Sequence, residues 1–90
     1  MKYTVSLSKE ATKELDRLDR KTEKRIQKRL DELTAAPYSD RLSNELIMFP
    51  GRRYSRVGNW RIVYQVIDSQ KIIDVSAIQH RSRAYKELKK

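Results

Sequence analysis

The sequence predicts an α+β fold: a four-stranded, mostly antiparallel sheet with a helical hairpin packed on one face. Three observations predict it. Apolar residues alternate with polar ones in an opening stretch, "KYTVSLS". They then recur at three- and four-residue steps through residues 9–35, and return to strand-like runs from residue 52 onward, broken by short turn signals. The order is strand, two helices, then three hairpin-linked strands.

The first strand carries Tyr3, Val5 and Leu7 on one side and Thr4 and Ser6 on the other. Ser8 can cap the first helix, whose apolar stripe is Ala11, Leu15 and Leu18. Asp19 can cap the second, whose stripe is Ile26, Leu30 and Leu33, and Pro37 stops it. So short a link makes the helices an antiparallel hairpin. On their polar faces Glu14 with Arg17, Asp16 with Arg20, and Lys28 with Asp31 or Glu32 stand at pairing distance, as on a solvated surface. Residues 38–51 are irregular, and the apolar knot Leu46-Ile47-Met48-Phe49 is expected to tuck under the sheet. Then come "RRYSRV", the turn Gly58-Asn59, "WRIVYQVI", the turn "DSQ" and "KIIDVSAIQ". Glycine first in a two-residue turn suits type II′. A short C-terminal helix is expected over 82–90. The whole chain, 1–90, reads as one domain.

Composition narrows function. The chain has no cysteine and one histidine, which leaves no thiolate or histidine-cluster metal site, and no cofactor is expected. No apolar run approaches a membrane span and no secretory signal opens the chain, so a cytoplasmic protein is expected. The formal net charge is +9, which calls for a polyanionic partner. Residues 9–33 hold nine Lys/Arg against seven Asp/Glu, whereas residues 34–90 hold eleven against five. Within 46–67 stand Arg52, Arg53, Arg56 and Arg61 and no acid. Arginine forks match phosphate geometry.

With Gly58-Asn59 as the turn, Arg56 faces Arg61 across the strands, on the sheet face opposite Trp60, Ile62, Tyr64 and Val66. Exposed like charges in that position repel, and an anion between them would turn repulsion into attraction. The last strand should bring the end "HRSRAYK" (80–86) near Arg61. Arg56, Arg61, Arg81 and Arg83 then converge on one open face, with Tyr85 beside them. Charge stabilisation by arginine and proton transfer by tyrosine or histidine are the chemistry such a wall offers. That suits RNA, whose 2′-OH can act as nucleophile.

These stretches resemble a known family. "RVGNWRIVYQV" at 56–66 followed by "HRSRAY" at 80–85, with "SKEATKELDRL" and "LTAAP" upstream, is similar to the RelE/ParE toxin superfamily of type II toxin–antitoxin systems. The resemblance runs the length of the chain. It implies a metal-independent, ribosome-dependent endoribonuclease that cuts mRNA by 2′-OH attack on the adjacent phosphate. It also implies a cognate antitoxin partner with acidic and apolar segments, in a hetero-oligomer. By position it matches Arg56, Arg61, Arg81 and Tyr85 to family residues. The candidate catalytic residues are Arg61, Arg81, Tyr85 and Arg83, and the candidate RNA-binding residues are Arg52, Arg53, Arg56, His80 and Lys86. Well-studied members carry lysines on the strand before the glycine, where this chain has Tyr54 and Ser55 between Arg53 and Arg56. Two further readings fit the same residues: a ParE-like inhibitor of DNA gyrase, and a basic RNA- or ribosome-binding module without catalysis.

Overall fold

Gly58 and Asn59 turn the chain between β3 (Arg52–Val57) and β4 (Trp60–Ile67). Gly58 takes φ +60°, a left-handed value that glycine adopts at little cost. Val57 therefore faces Trp60, and Arg56 faces Arg61, as the turn predicts. β4 continues through residues 68–71 into β5 (Ile72–His80), its antiparallel neighbour. The computed structural model describes residues 2–82. The C-terminal helix expected over 82–90, beyond Ser82, and the candidate residues Arg83, Tyr85 and Lys86 lie outside the described residues.

Both predicted helices form. α1 (Lys9–Arg17) is capped by Ser8, whose Oγ accepts from the Ala11 amide at 3.1 Å. α2 (Arg20–Ala35) is capped by Asp19, whose carboxylate accepts from the Thr22 amide. Of the helix-surface ion pairs expected, Glu14–Arg17 stands at 3.8 Å, and Arg29 rather than Lys28 takes Glu32, at 3.3 Å. Ala11, Leu15, Ile26, Leu30 and Leu33 are buried against Val57, Ile62, Tyr64, Ile73, Val75 and Ile78 of the sheet. This is the one core, and it lies between the helical hairpin and one sheet face.

The sheet has five strands rather than four, in the order β1-β5-β4-β3-β2. β1 (Thr4–Leu7) runs parallel to β5, with Thr4 opposite Ile72 and Leu7 opposite Val75. The fifth strand is β2 (Asn44–Glu45), which pairs with β3 in the segment expected to be irregular. Its loop closes when the Leu46 amide donates to the Arg52 carbonyl at 2.8 Å. The apolar knot does not tuck under the sheet as a unit. Leu46 is 8% exposed, but Ile47 is 96%, Met48 67% and Phe49 50% exposed. Among the described residues no second layer covers this hairpin tip beyond the sheet edge.

β5 carries one irregularity. Val63 faces Ala77 but Tyr64 faces Val75, which leaves Ser76 as an extra residue in the strand. This bulge puts Ile78 on the same buried face as Ile73 and Val75, although the spacing from Val75 to Ile78 is odd. The Ser76 carbonyl accepts from Ser8 Oγ at 2.9 Å, so the bulge also seats the start of α1.

Candidate phosphate-binding site

The face of β3 and β4 away from the helices carries Arg52, Tyr54 and Arg56 from β3 and Arg61 from β4. Tyr54 is the residue that sequence reasoning missed. Its ring has the Arg61 guanidinium 4.4 Å from its centroid and that of Arg56 at 5.8 Å. The negative ring face thus sits against both cations and offsets part of their repulsion. The signal was available: Tyr54 shares strand parity with Arg56.

Arg81 joins from beyond β5. Gln79 lies opposite Arg61, and the Arg81 amide donates to the Asn59 carbonyl at 2.7 Å, which anchors it beside the β3–β4 turn. Arg56, Gly58, Asn59, Trp60, Arg61 and Arg81 line a concavity of about 190 Å³. Three arginines and no acidic residue are among its lining residues, so the local charge favours an anion. A Cβ on Gly58 would also stand 3.3 Å from Arg25 Nη1, which shows how closely α2 approaches the turn.

Other predicted residues are elsewhere. Arg52 is exposed on the same face, but four residues from Arg56, which puts it roughly 13 Å along the strand. Arg53 is on the opposite face, because it shares parity with Ser55 and Val57. Its Nε donates to Ser43 Oγ at 2.9 Å and its Nη2 to the Ser43 carbonyl at 3.2 Å, with Asp40 at 3.7 Å. Only 11% of the side chain is exposed, and its guanidinium is held in these bonds on the helix-facing side of β3. Ser43 Oγ is 2.7 Å from the Tyr64 hydroxyl, which is itself 2.6 Å from the Pro37 carbonyl. A phenol has one hydrogen. With that hydrogen on Pro37, Ser43 donates to Tyr64 and Arg53 donates to Ser43, and each buried group is satisfied. Replacing Arg53 with Ala is therefore expected to cost about 1–3 kcal/mol of stability, since it leaves Ser43 groups unpaired. Urea unfolding measures it. A variant of unchanged stability and weakened RNA binding would return Arg53 to the interface.

His80 also turns away from the arginines. It faces Trp60, and the two rings meet edge to face at 5.3 Å. The Ser82 amide donates to His80 Nδ1 at 3.3 Å, so the neutral ring carries its hydrogen on Nε2.

The shifted ionisable groups are at the other end of the sheet. Asp68, in the β4–β5 turn, accepts from the Tyr3 hydroxyl at 2.5 Å and the Tyr38 hydroxyl at 2.6 Å. These bonds hold the Asp68 carboxyl below its ordinary range. The same bond pushes the Tyr38 phenol up to about 12. The clamp ties the start of β1 and the end of the helical layer to the turn. A carboxylate with a lowered folded value stabilises above its unfolded value, and loses that contribution as pH falls through the folded one. A phenol with a raised folded value loses its contribution as pH rises from about 10 toward 12. The Tm difference between wild type and Asp68→Ala is therefore expected to be greatest at neutral pH and to shrink at both extremes. A pH-independent difference would show that ionisation of these groups does not matter.

Among the described residues no group of three or more His, Cys, Asp and Glu could hold a metal ion, and no helix is long and apolar enough to cross a membrane. A family profile described as "ParE toxin of type II toxin-antitoxin system, parDE" matches residues 5–85. The chain belongs to this family. A candidate RelE-like toxin protein of Escherichia coli is 32% identical over 84 residues, covering 93% of this chain and 88% of that protein. Among solved structures, E. coli RelE bound to an antitoxin RelB peptide superposes with a TM-score of 0.79 at 26% identity, covering 98% of this chain and 95% of that one. The toxin of the intact E. coli RelBE complex gives 0.78 at 25%, covering 87% and 95%. The fold extends to the RelBE complex of Mycobacterium tuberculosis, at a TM-score of 0.77 and 21% identity over 90% of this chain and all of that one. This chain is thus a toxin of RelBE type.

Proposed function

We propose that this toxin is an endoribonuclease that cuts mRNA on the ribosome, in the cytoplasm, and that an antitoxin with an acidic or amphipathic segment neutralises it. The observation that carries this reading is the gathering of Arg56, Arg61 and Arg81 around one concavity, with the Tyr54 ring packed against two of them. The 2′ oxygen attacks the adjacent phosphorus and a proton leaves it. The P–O5′ bond breaks as the new P–O2′ bond forms, giving a 2′,3′-cyclic phosphate and a 5′ hydroxyl that takes up a proton. Negative charge rises on the phosphoryl oxygens along the way, and fixed guanidinium groups stabilise it. Arg61 and Arg81 hold the phosphate in this reading, with Arg83 next in line; Arg52 and Lys86 steer the strand. The reaction needs no metal, since the nucleophile belongs to the substrate.

Two phenols can serve proton transfer: Tyr54, beside the arginines, and Tyr85, which the family resemblance casts in that role. Removing a positioned acid or base costs about 10²–10⁴ in rate. Tyr54→Phe and Tyr85→Phe therefore separate them. The variant that loses cleavage to that extent names the proton-transfer residue, while a stacking role leaves its Phe variant near wild type. The test of the whole reading is single-turnover cleavage of mRNA on programmed ribosomes. The family profile's own description favours a second reading, a ParE-like topoisomerase inhibitor. An intact message together with gyrase inhibition would move the function there.

A further inference from the structure

α2 has a charge pattern that neither its fold nor the arginine concavity requires. Residues 20–30 hold six Lys/Arg and one acid, Glu23. Lys21, Lys24, Arg25 and Lys28 are exposed and recur at three- and four-residue steps, so they form one stripe along the outer face. Glu23 does not serve them. Its neighbours at three and four residues are Asp19, Arg20, Ile26 and Gln27. Among the described residues the ion pairs are Glu14–Arg17, Arg29–Glu32 and Asp40–Arg53, and none includes a member of the stripe. At three- and four-residue steps Lys24 and Arg25 meet Arg20, Lys21, Lys28 and Arg29, with neutral Thr22 and Gln27 and no acid, so like charges there repel. The placement also opposes the helix dipole. Cations crowd the positive N-terminal half, while the last turn has no base and the acids Asp31 and Glu32 come late. A helix selected for stability alone would carry the reverse order.

The stripe is fixed to the concavity. Arg29 Nη1 donates to the Arg56 carbonyl at 2.7 Å, and Arg25 overhangs Gly58, which lines the concavity. A positive surface thus runs from Arg61 and Arg81 around the turn and along about 10 Å of α2. α2 contains no aromatic residue, so the stripe offers no platform on which unpaired bases could stack. A straight row of cations without stacking groups suits the phosphates of a double helix. We propose that this stripe docks the sugar–phosphate backbone of a double-helical RNA segment while the concavity takes the single strand. The choice of RNA over DNA rests on the cleavage reading; the choice of a duplex does not.

The test uses the full chain and the triple variant Lys21→Gln, Lys24→Gln, Lys28→Gln. The substitutions keep good helix formers and remove repulsion, so the fold is retained, as circular dichroism would verify. The probe is a blunt 16-base-pair RNA duplex, titrated from 50 to 200 mM salt. Each phosphate contact contributes about 0.9 to the slope of log K against log salt, so the variant's slope is expected to be shallower by roughly 2–3. On programmed ribosomes KM should rise at least about tenfold with kcat unchanged, since docking strength and not chemistry is altered. An unchanged slope overturns the proposal. So does equal, stripe-dependent affinity for a DNA duplex of the same sequence, or a loss confined to antitoxin affinity. If wild type cuts no mRNA yet binds the RNA duplex through the stripe, the cleavage reading fails and the docking surface stands.

Discussion

Arg61→Ala and Arg81→Ala are each expected to slow single-turnover cleavage of ribosome-bound mRNA about 10²–10³-fold, the usual loss for one preorganised charge contact in a transition state. The Arg61 guanidinium is held against the Tyr54 ring at 4.4 Å, and the Arg81 main chain is anchored through its amide to Asn59, which brings its side chain to the concavity. Both side chains are outside the helix-facing core, and circular dichroism of each variant should match wild type. Arg61→Lys keeps the charge and loses the fork, and should recover only part of the rate. Arg52→Ala, on the same face but outside the concavity, should weaken binding in a salt-dependent way and leave kcat alone. Cleavage near the wild-type rate by both Arg61 and Arg81 variants would end the assignment of this concavity as the active site.

Leu30→Ala is expected to remove about 2–5 kcal/mol from a domain of modest total stability. Leu30 is 3% exposed, midway along the buried stripe Ile26, Leu30 and Leu33. Its neighbours are anchored on both sides: α2 by the Asp19 cap and by Arg29, whose Nη1 donates to Ser55 Oγ at 2.8 Å. Elements pinned in this way cannot collapse far into a cavity, which favours the upper part of the range. Taking the lower cost and about 4 °C per kcal/mol, Tm should fall by at least about 8 °C. A fall of one or two degrees would mean that α2 can shift to refill the space.

The arginine face was legible in the sequence because it depends on one local event. A two-residue turn at Gly58-Asn59 fixes the register of β3 against β4, and register fixes which residues share a face. The same parity argument, carried back along β3, places Tyr54 with Arg56 and separates Arg53 from both. Charge alone groups Arg53 with the other arginines, whereas parity puts it on the side of Ser55 and Val57. On β5, pairing with β4 puts His80 opposite Trp60, on the helix side. What could not be read locally is non-local in cause. β1 pairs with β5 across nearly the whole chain, and β2 is only two residues long, too short for alternation to register. The bulge at Ser76 left one trace, the odd spacing between Val75 and Ile78, which reads as noise until a partner strand is present. The exposed tip at Ile47–Phe49 was misread because an apolar run normally implies burial, and only the hairpin geometry shows that nothing lies above it.

The pairing of the first strand with the last has a kinetic consequence. Thr4 meets Ile72 and Leu7 meets Val75, so the sheet closes only after residues 72–75 exist. During synthesis β1 waits with half of its hydrogen bonds unmade, and Arg81 is added later still. The arginine concavity is therefore complete only once Arg81 is in place beside Asn59. Loop closure over such a span is slow relative to local helix formation, and refolding is expected in the millisecond-to-second range rather than in microseconds. Stopped-flow refolding followed by Trp60 fluorescence measures this, and a microsecond phase carrying the full amplitude would contradict it. The helical hairpin and the β3–β4 turn can therefore order early, while the site they frame is finished only when the first and last strands have met.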